Sequence, residues 1–170
     1  MARKDAGRRH RPRFRSNQIK SPPGPALSYL VDTNVLSELR KGARANENVR
    51  AWFARVEDQD LYLSVLVVGE IRRGIEVVRR RDPRHAASLE RWLRGLVVDH
   101  GERLVPLDLA VAEEWGRLSA VRSVSVIDTL LAATARVHGL TLATRNLRDV
   151  AWTGVDCINP FEEPRPNQGH

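Results

Sequence analysis

Residues 28–39 read SYLVDTNVLSEL, and the reading of this stretch decides the fold. Tyr29, Leu30 and Val31 form a short apolar run of the kind a buried strand needs. A helical segment follows near Asn34–Leu39, and Lys41-Gly42 ends it. Asp32 stands where the strand stops. In an open α/β sheet, ligands gather at the carboxyl ends of the strands and at the helix N-termini that follow them. A carboxylate placed there is costly to desolvate unless a cation or hydrogen bonds hold it. Asp32 also has a plainer reading, as the cap of the next helix. The stretch alone leaves both readings open.

The same strand-then-helix alternation continues along the chain. Val49, Trp52, Phe53 and Val56 have the i, i+3, i+4, i+7 spacing of an amphipathic helix. Leu61-Tyr62-Leu63 is a second short strand, and Ser64 caps a helix from Val65 to about Arg80. That helix carries Val67, Val68, Ile71, Gly74, Ile75 and Val78 on one stripe, with Arg72, Arg73, Arg79 and Arg80 mostly off it. Asp82-Pro83 starts another helix to about Val98, with Leu89, Trp92, Leu93 and Leu96 facing inward. Leu104-Val105 reads as a small strand, and Asp108 caps a helix that buries Val111, Trp115 and Leu118. A helix over Val126–His138 stops at Gly139. Strands over Leu140–Ala143 and Val155–Ile158 follow, with the loop Thr144-Arg145-Asn146 after the first. Short strands alternating with helices indicate a parallel sheet covered on both faces.

Composition bounds the rest. The 170 residues are 42% hydrophobic, enough for one globular core with an extension. Cys157 is the single cysteine, which excludes an internal disulfide and a cysteine zinc site and suits a reducing cytosol. No apolar run reaches transmembrane length, so no membrane partner is expected. Residues 1–20 hold eight Lys/Arg and one acid, which accounts for the whole net charge of +7. The remaining residues carry twenty bases and twenty acids, so the high pI says nothing about the folded part. Residues 1–27, rich in Arg and Pro, are expected to form a disordered basic extension. Such an extension is a solvated tail, an electrostatic hook for nucleic acid, or sequence added by a start codon assigned too far upstream. The folded domain is expected over 28–163, with a flexible tail over 164–170.

Two acids sit where a core is expected. Glu70 interrupts VVGEI at the border of its apolar stripe, beside Leu66 and Val77, where a glutamate also reaches water. Asp128 shares a side of its helix with Leu131, Ala132 and Ala135, so it is expected to be largely buried. Its alternative is an acid favoured by the helix N-terminus. Asp149 lies past the strand that ends at Ala143, where a solvated turn residue is the simpler reading. Taken together, Asp32 and Asp149 follow strands and Glu70 and Asp128 lie on flanking helices, so all four are placed to converge on one edge. Clustered carboxylates without His or Cys are hard oxygen ligands, suited to Mg²⁺ or Mn²⁺ rather than zinc.

Other chemistries lack their parts. There is no GK[ST] loop, no G-x-S-x-G and no H-E-x-x-H. His10, His85, His100, His138 and His170 have no ligand spacing and are expected at the surface. Acid-pocket phosphoryl-transfer domains use a lysine late in the chain, and the last lysine here is Lys41.

LVDTNVLSEL, LSVLVVGEIRRGI, VIDTLLAATARVHGLTLATRN and a final INPF together resemble the PIN domains of VapC-type toxins from bacterial toxin–antitoxin pairs. The resemblance spans about residues 28–161 and rests on four motifs in order. It implies a three-layer α/β/α domain with a short parallel central sheet and a Mg²⁺- or Mn²⁺-dependent endoribonuclease activity. Asp32, Glu70 and Asp128 match the first three acids of such a site. Some relatives carry an acid where this chain has Asn146, and the fourth role is assigned here to its neighbour Asp149. Thr33, Asn34, Thr144 and Asn146 match polar groups that position water or ligands, and Arg145 among them is expected to contact RNA. A cognate antitoxin that wraps an apolar groove, a homodimer and a cytoplasmic location are further implications. A PIN-like fold that binds RNA without cleaving it is the alternative, with a nucleic-acid tether acting through the basic extension as a third.

Overall fold

The computed structural model describes residues 27–122 and 125–162. The basic extension expected over 1–27, apart from Leu27, and the C-terminal tail expected over 164–170 lie outside the described residues. Five strands, β1 Tyr29–Val31, β2 Leu61–Ser64, β3 Leu104–Val105, β4 Thr141–Ala143 and β5 Cys157–Ile158, form one sheet in the order β3-β2-β1-β4-β5. All four pairings are parallel. The register sets Tyr29 beside both Leu61 and Thr141, and Val31 beside Ala143.

The helices are α1 Thr33–Leu39, α2 Glu47–Phe53, α3 Val65–Arg79, α4 Pro83–His100, α5 Leu109–Val121, α6 Val126–His138 and α7 Leu147–Val150. From β1 the chain steps outward through β2 to β3, then crosses back and steps the other way through β4 to β5. Right-handed crossovers then place α1 to α4 on one face and α5 to α7 on the other. The packing agrees: α3 lies against α4 and α1, whereas α6 lies against α5 and α7. The expected three-layer parallel architecture is therefore the one observed.

Local chemistry fixes the helix ends. Ser64 accepts from the Leu66 N–H, Asp82 from His85, Asp108 from Val111 and Ser125 from Asp128. Gly139 ends α6 in the left-handed region at φ 63°, a conformation that costs glycine least. The central strands contribute Leu30, Val31, Leu61, Leu63 and Leu142 to the core. From the helices come Val35, Val67, Ile71, Ile75, Leu93, Val111, Leu118 and Leu131. In α6 the small residues Thr129, Ala132, Ala133, Thr134 and Ala135 are buried, so this helix approaches its neighbours closely. Thr129 and Thr134 each return their hydroxyl to the backbone carbonyl four residues earlier, which removes the cost of burying it.

Two histidines depart from the surface placement expected of them. His85 is exposed, but His100 and His138 are half-buried. His100 bonds through Nδ1 with the Leu96 carbonyl at 2.9 Å. Nε2 of His138 is buried with no hydrogen-bond partner among the described residues. Each closes the last turn of a long helix against the core, a tertiary placement that sequence spacing does not specify. His10 and His170 lie outside the described residues.

Candidate active site

β1 and β4 lie side by side at the point where the strand order reverses, and ligands in open α/β sheets bind beyond the strand ends there. The residues that leave these two strands are Asp32 and Thr144. Backbone bonds carry the ladder past both: the Asp32 N–H donates to Ala143 O at 3.0 Å, and the Thr144 N–H to Ile158 O at 3.0 Å. The two side chains are thus held at the sheet edge by the same pairing that builds the sheet.

Asp32 is only 5% exposed. It stands at the N-cap of α1, yet its side chain makes no capping bond, which removes the capping reading. Its Oδ2 accepts instead from Thr144 Oγ1 at 2.6 Å and from Asn34 Nδ2 at 2.6 Å. The Asn34 amide also reaches Thr144 Oγ1 at 3.2 Å, and its Oδ1 accepts from the Arg145 N–H at 3.2 Å. The Asn146 N–H closes the loop onto Thr144 Oγ1 at 3.0 Å. Asn34 and Thr144 therefore tie the loop after β4 to the acid after β1. Both side-chain donors fall on one carboxylate oxygen and leave Oδ1 without a side-chain partner among the described residues.

Glu70 comes from α3 on one face of the sheet and Asp128 from α6 on the other. Thr33 Oγ1 donates to Glu70 Oε2 at 2.6 Å, which fixes the half-buried glutamate against the start of α1. Burial pushes the Asp32 carboxyl above its ordinary value, and the Glu70 and Asp128 carboxylates add to the rise. The Thr144 hydroxyl and the Thr33 backbone N–H oppose it. Three acids from three elements therefore share one electrostatic neighbourhood, with Asp32 at its dry end.

Two expectations need adjustment. Asp128 is half-buried rather than largely buried. It lies in the first turn of α6, where Ser125 and Val126 are still exposed, and full burial begins at Thr129. Asp149 stands exposed on α7. Its N–H donates to the Asn146 carbonyl at 3.0 Å and its own carbonyl accepts from Trp152 Nε1 at 2.8 Å. No described contact brings its carboxylate to the other three. Among the described residues, no three acidic, His or Cys side chains are drawn together as closely as the ligands of a bound ion. The donor set is nonetheless all oxygen, with three carboxylates, one of them buried, and this chemistry fits a hard divalent cation.

The family resemblance names Thr33, Asn34 and Thr144 but not all their partners, since the Thr33–Glu70, Asn34–Thr144 and Thr144–Asp32 bonds join residues 37 to 112 apart in the chain. Phe161 is the neighbour it does not single out. Its ring lies under the Arg145 guanidinium, and INPF is the only sequence feature that touches it.

This architecture and edge of acids are those of a PIN domain. The PIN-domain family model matches residues 29–151, and the chain belongs to that family. Among its relatives, Toxin FitB of Neisseria gonorrhoeae is 30% identical over 139 residues, which is 79% of this chain and 99% of that protein. VapC ribonuclease Y4jK of Sinorhizobium fredii is 35% identical over 139 residues, covering 78% of this chain and 97% of that one. The crystal structure of FitAcB from Neisseria gonorrhoeae matches with a TM-score of 0.71 at 29% identity, covering 79% of this chain and 99% of that chain. FitAB bound to a DNA fragment matches with a TM-score of 0.73 at 27% identity, covering 82% and 99%.

Proposed function

We propose that this protein is a divalent-metal-dependent endoribonuclease that acts as the toxin of a toxin–antitoxin pair. The observation that carries the reading is Asp32, buried at the switch point of a PIN-domain sheet, with a carboxyl pushed up by burial and by the charges of Glu70 and Asp128. Asp32, Glu70 and Asp128 would hold Mg²⁺ or Mn²⁺. Such an ion lowers the pKa of a coordinated water and offsets charge on the attacked phosphate. The protein's own part is positional. Asn34 and Thr144 fix the Asp32 carboxylate, and Thr33 fixes Glu70, so two of the three acids keep their orientation without the ion. Asp149 enters as a fourth charge at the rim. Its place on the helical turn that begins at Asn146, beside Thr144, supports that role.

The names of the relatives, a toxin and a ribonuclease, support both the activity and the toxin role. A groove of about 740 Å³ between α1, α2 and α4, with an apolar floor and charged rim, offers a seat for an antitoxin segment. Leu36, Leu39, Phe53, Trp92 and Leu96 are among its lining residues. A homodimer and a cytoplasmic location complete the proposal. No helix among the described residues is long and apolar enough to cross a membrane.

The test uses the purified chain and a labelled RNA. Cleavage that requires Mg²⁺ or Mn²⁺, stops with chelator and is lost in Asp32→Asn is the expected result. RNA binding without cleavage under any divalent ion would leave a silent PIN-like binder. Growth arrest on expression, relieved by a small protein encoded beside this gene, tests the toxin assignment. Light scattering reports the dimer.

A further inference from the structure

Arg145 occupies an unusual place for a cation. Its backbone N–H is bonded to Asn34, which holds Asp32; Thr144 on one side donates to Asp32, and the Asn146 N–H on the other donates to Thr144 Oγ1. Its side chain is nevertheless exposed. Among the described residues it makes no salt bridge, and the nearby Glu38 is already engaged by Lys41 Nζ at 2.6 Å and the Asn46 N–H at 2.8 Å. Its guanidinium carbon lies 5.2 Å from the centre of the Phe161 ring. The Phe161 side chain packs against the core, and its backbone is anchored. Asn48 of α2 donates to the Phe161 carbonyl at 3.0 Å, and the Phe161 N–H donates to Asn159 Oδ1 at 3.1 Å.

We propose that Arg145, laid on Phe161, is a binding residue for an RNA backbone phosphate at the rim of the acid site. The inference rests on the ribonuclease reading. Three carboxylates repel a polyanion, and the chain beyond residue 20 carries no net positive charge to offset them. A rim cation is therefore needed close to the acids. Arginine suits this position better than lysine. The face of its planar guanidinium rests on the ring, while its N–H edges stay free to grip a phosphate in two places. Contact with the ring restrains the guanidinium, so less conformational freedom remains to be lost when RNA arrives.

The experiment measures binding of the full chain to a labelled single-stranded RNA oligonucleotide in chelator, so that no cleavage occurs. Affinity is followed between about 50 and 200 mM salt. Arg145→Gln should weaken binding about tenfold and make the salt slope shallower by about 0.7. Arg145→Lys should keep the slope and bind less tightly than the natural protein. Phe161→Leu should keep the slope and weaken binding a few-fold, with an unchanged melting temperature. Comparing slopes cancels the contribution of the basic residues 1–20, which every variant shares. Natural affinity and slope in Arg145→Gln would overturn the inference alone. A Phe161→Leu protein that binds normally but melts earlier would make the pair a structural clasp and also overturn it. Failure of the natural chain to bind any RNA would overturn the ribonuclease reading with it.

Discussion

Asp32 is a carboxylate in a place that penalises its charge. Burial and two like charges raise its pKa, so the folded state binds a proton more readily than the unfolded chain. Stability linked to this group is therefore lost as pH rises above the ordinary carboxyl range. Asp32→Asn removes the charge and keeps an oxygen for Thr144 to bond. The expected outcome, without divalent ion, is an unchanged or higher melting temperature, about 2–4 °C for each kcal/mol of relief, together with lost cleavage. A markedly lower melting temperature would make the charge structural. Asp128→Asn is expected to abolish cleavage at a cost of about 1 kcal/mol or less, the worth of an acid in a first helical turn. Retained cleavage in that protein would remove Asp128 from the site. The fourth charge separates by metal titration. Asp149→Asn should need clearly more Mg²⁺ for cleavage, and Asn146→Ala only slightly more, because an amide contributes no charge. The reverse order would hand the role to Asn146. These roles were open to sequence reading only in part. The residue types and their positions after strands mark Asp32 and Thr144. Which oxygen each donor meets is decided by how β1 and β4 pair across more than a hundred residues.

At the scale of elements, legibility followed the strength of the local signal. α3, α4, α5 and α6 each carry a side-chain cap and an apolar stripe; the spans of α3, α4 and α6 match the sequence reading to within about two residues, and α5 begins at its expected cap Asp108. β3 and β5, only two residues each, were still readable because turn residues bound them. The histidines were not, since nothing in the spacing tells a helix-end imidazole whether the neighbouring helix covers it. His138 ends α6 and feels the charge of Asp108, the cap of α5. Arg136 of α6 meets Glu114 of α5 at 3.0 Å, so the two helices run in opposite directions. Burial lowers the His138 pKa and Asp108 only partly restores it. The folded state thus binds fewer protons, and the stability tied to this group falls as pH drops below the ordinary histidine value. His100 is lowered by burial as well and acts in the same direction. His138→Leu removes a buried nitrogen without a partner. Its melting temperature should exceed that of the natural protein more at pH 5.5 than at pH 7.5, because histidine titrates between them. Parallel curves would show that His138 is not the group that responds.

At the scale of the whole molecule, charge and core are segregated along the chain. Among the described residues burial begins at Ser28, and the family match begins at residue 29, whereas the entire net charge lies in residues 1–20. A segment so poor in apolar residues has little area to bury on folding, and burial is the main term that opposes chain entropy. Deletion of residues 1–26 should therefore leave a cooperative unfolding transition with an unchanged midpoint, and metal-dependent cleavage should persist. RNA affinity is a separate matter. Eight cations in residues 1–20 attract phosphates without reading sequence, and each contact displaces counterions. The truncated chain should bind RNA less tightly at low salt, with a slope shallower by about 0.7 for each phosphate no longer contacted. The difference should vanish as salt rises, because only the electrostatic part has been removed. Equal affinity at every salt would mean that the extension does not touch RNA. Loss of cooperative unfolding would mean instead that the fold extends into residues whose composition gives no sign of it.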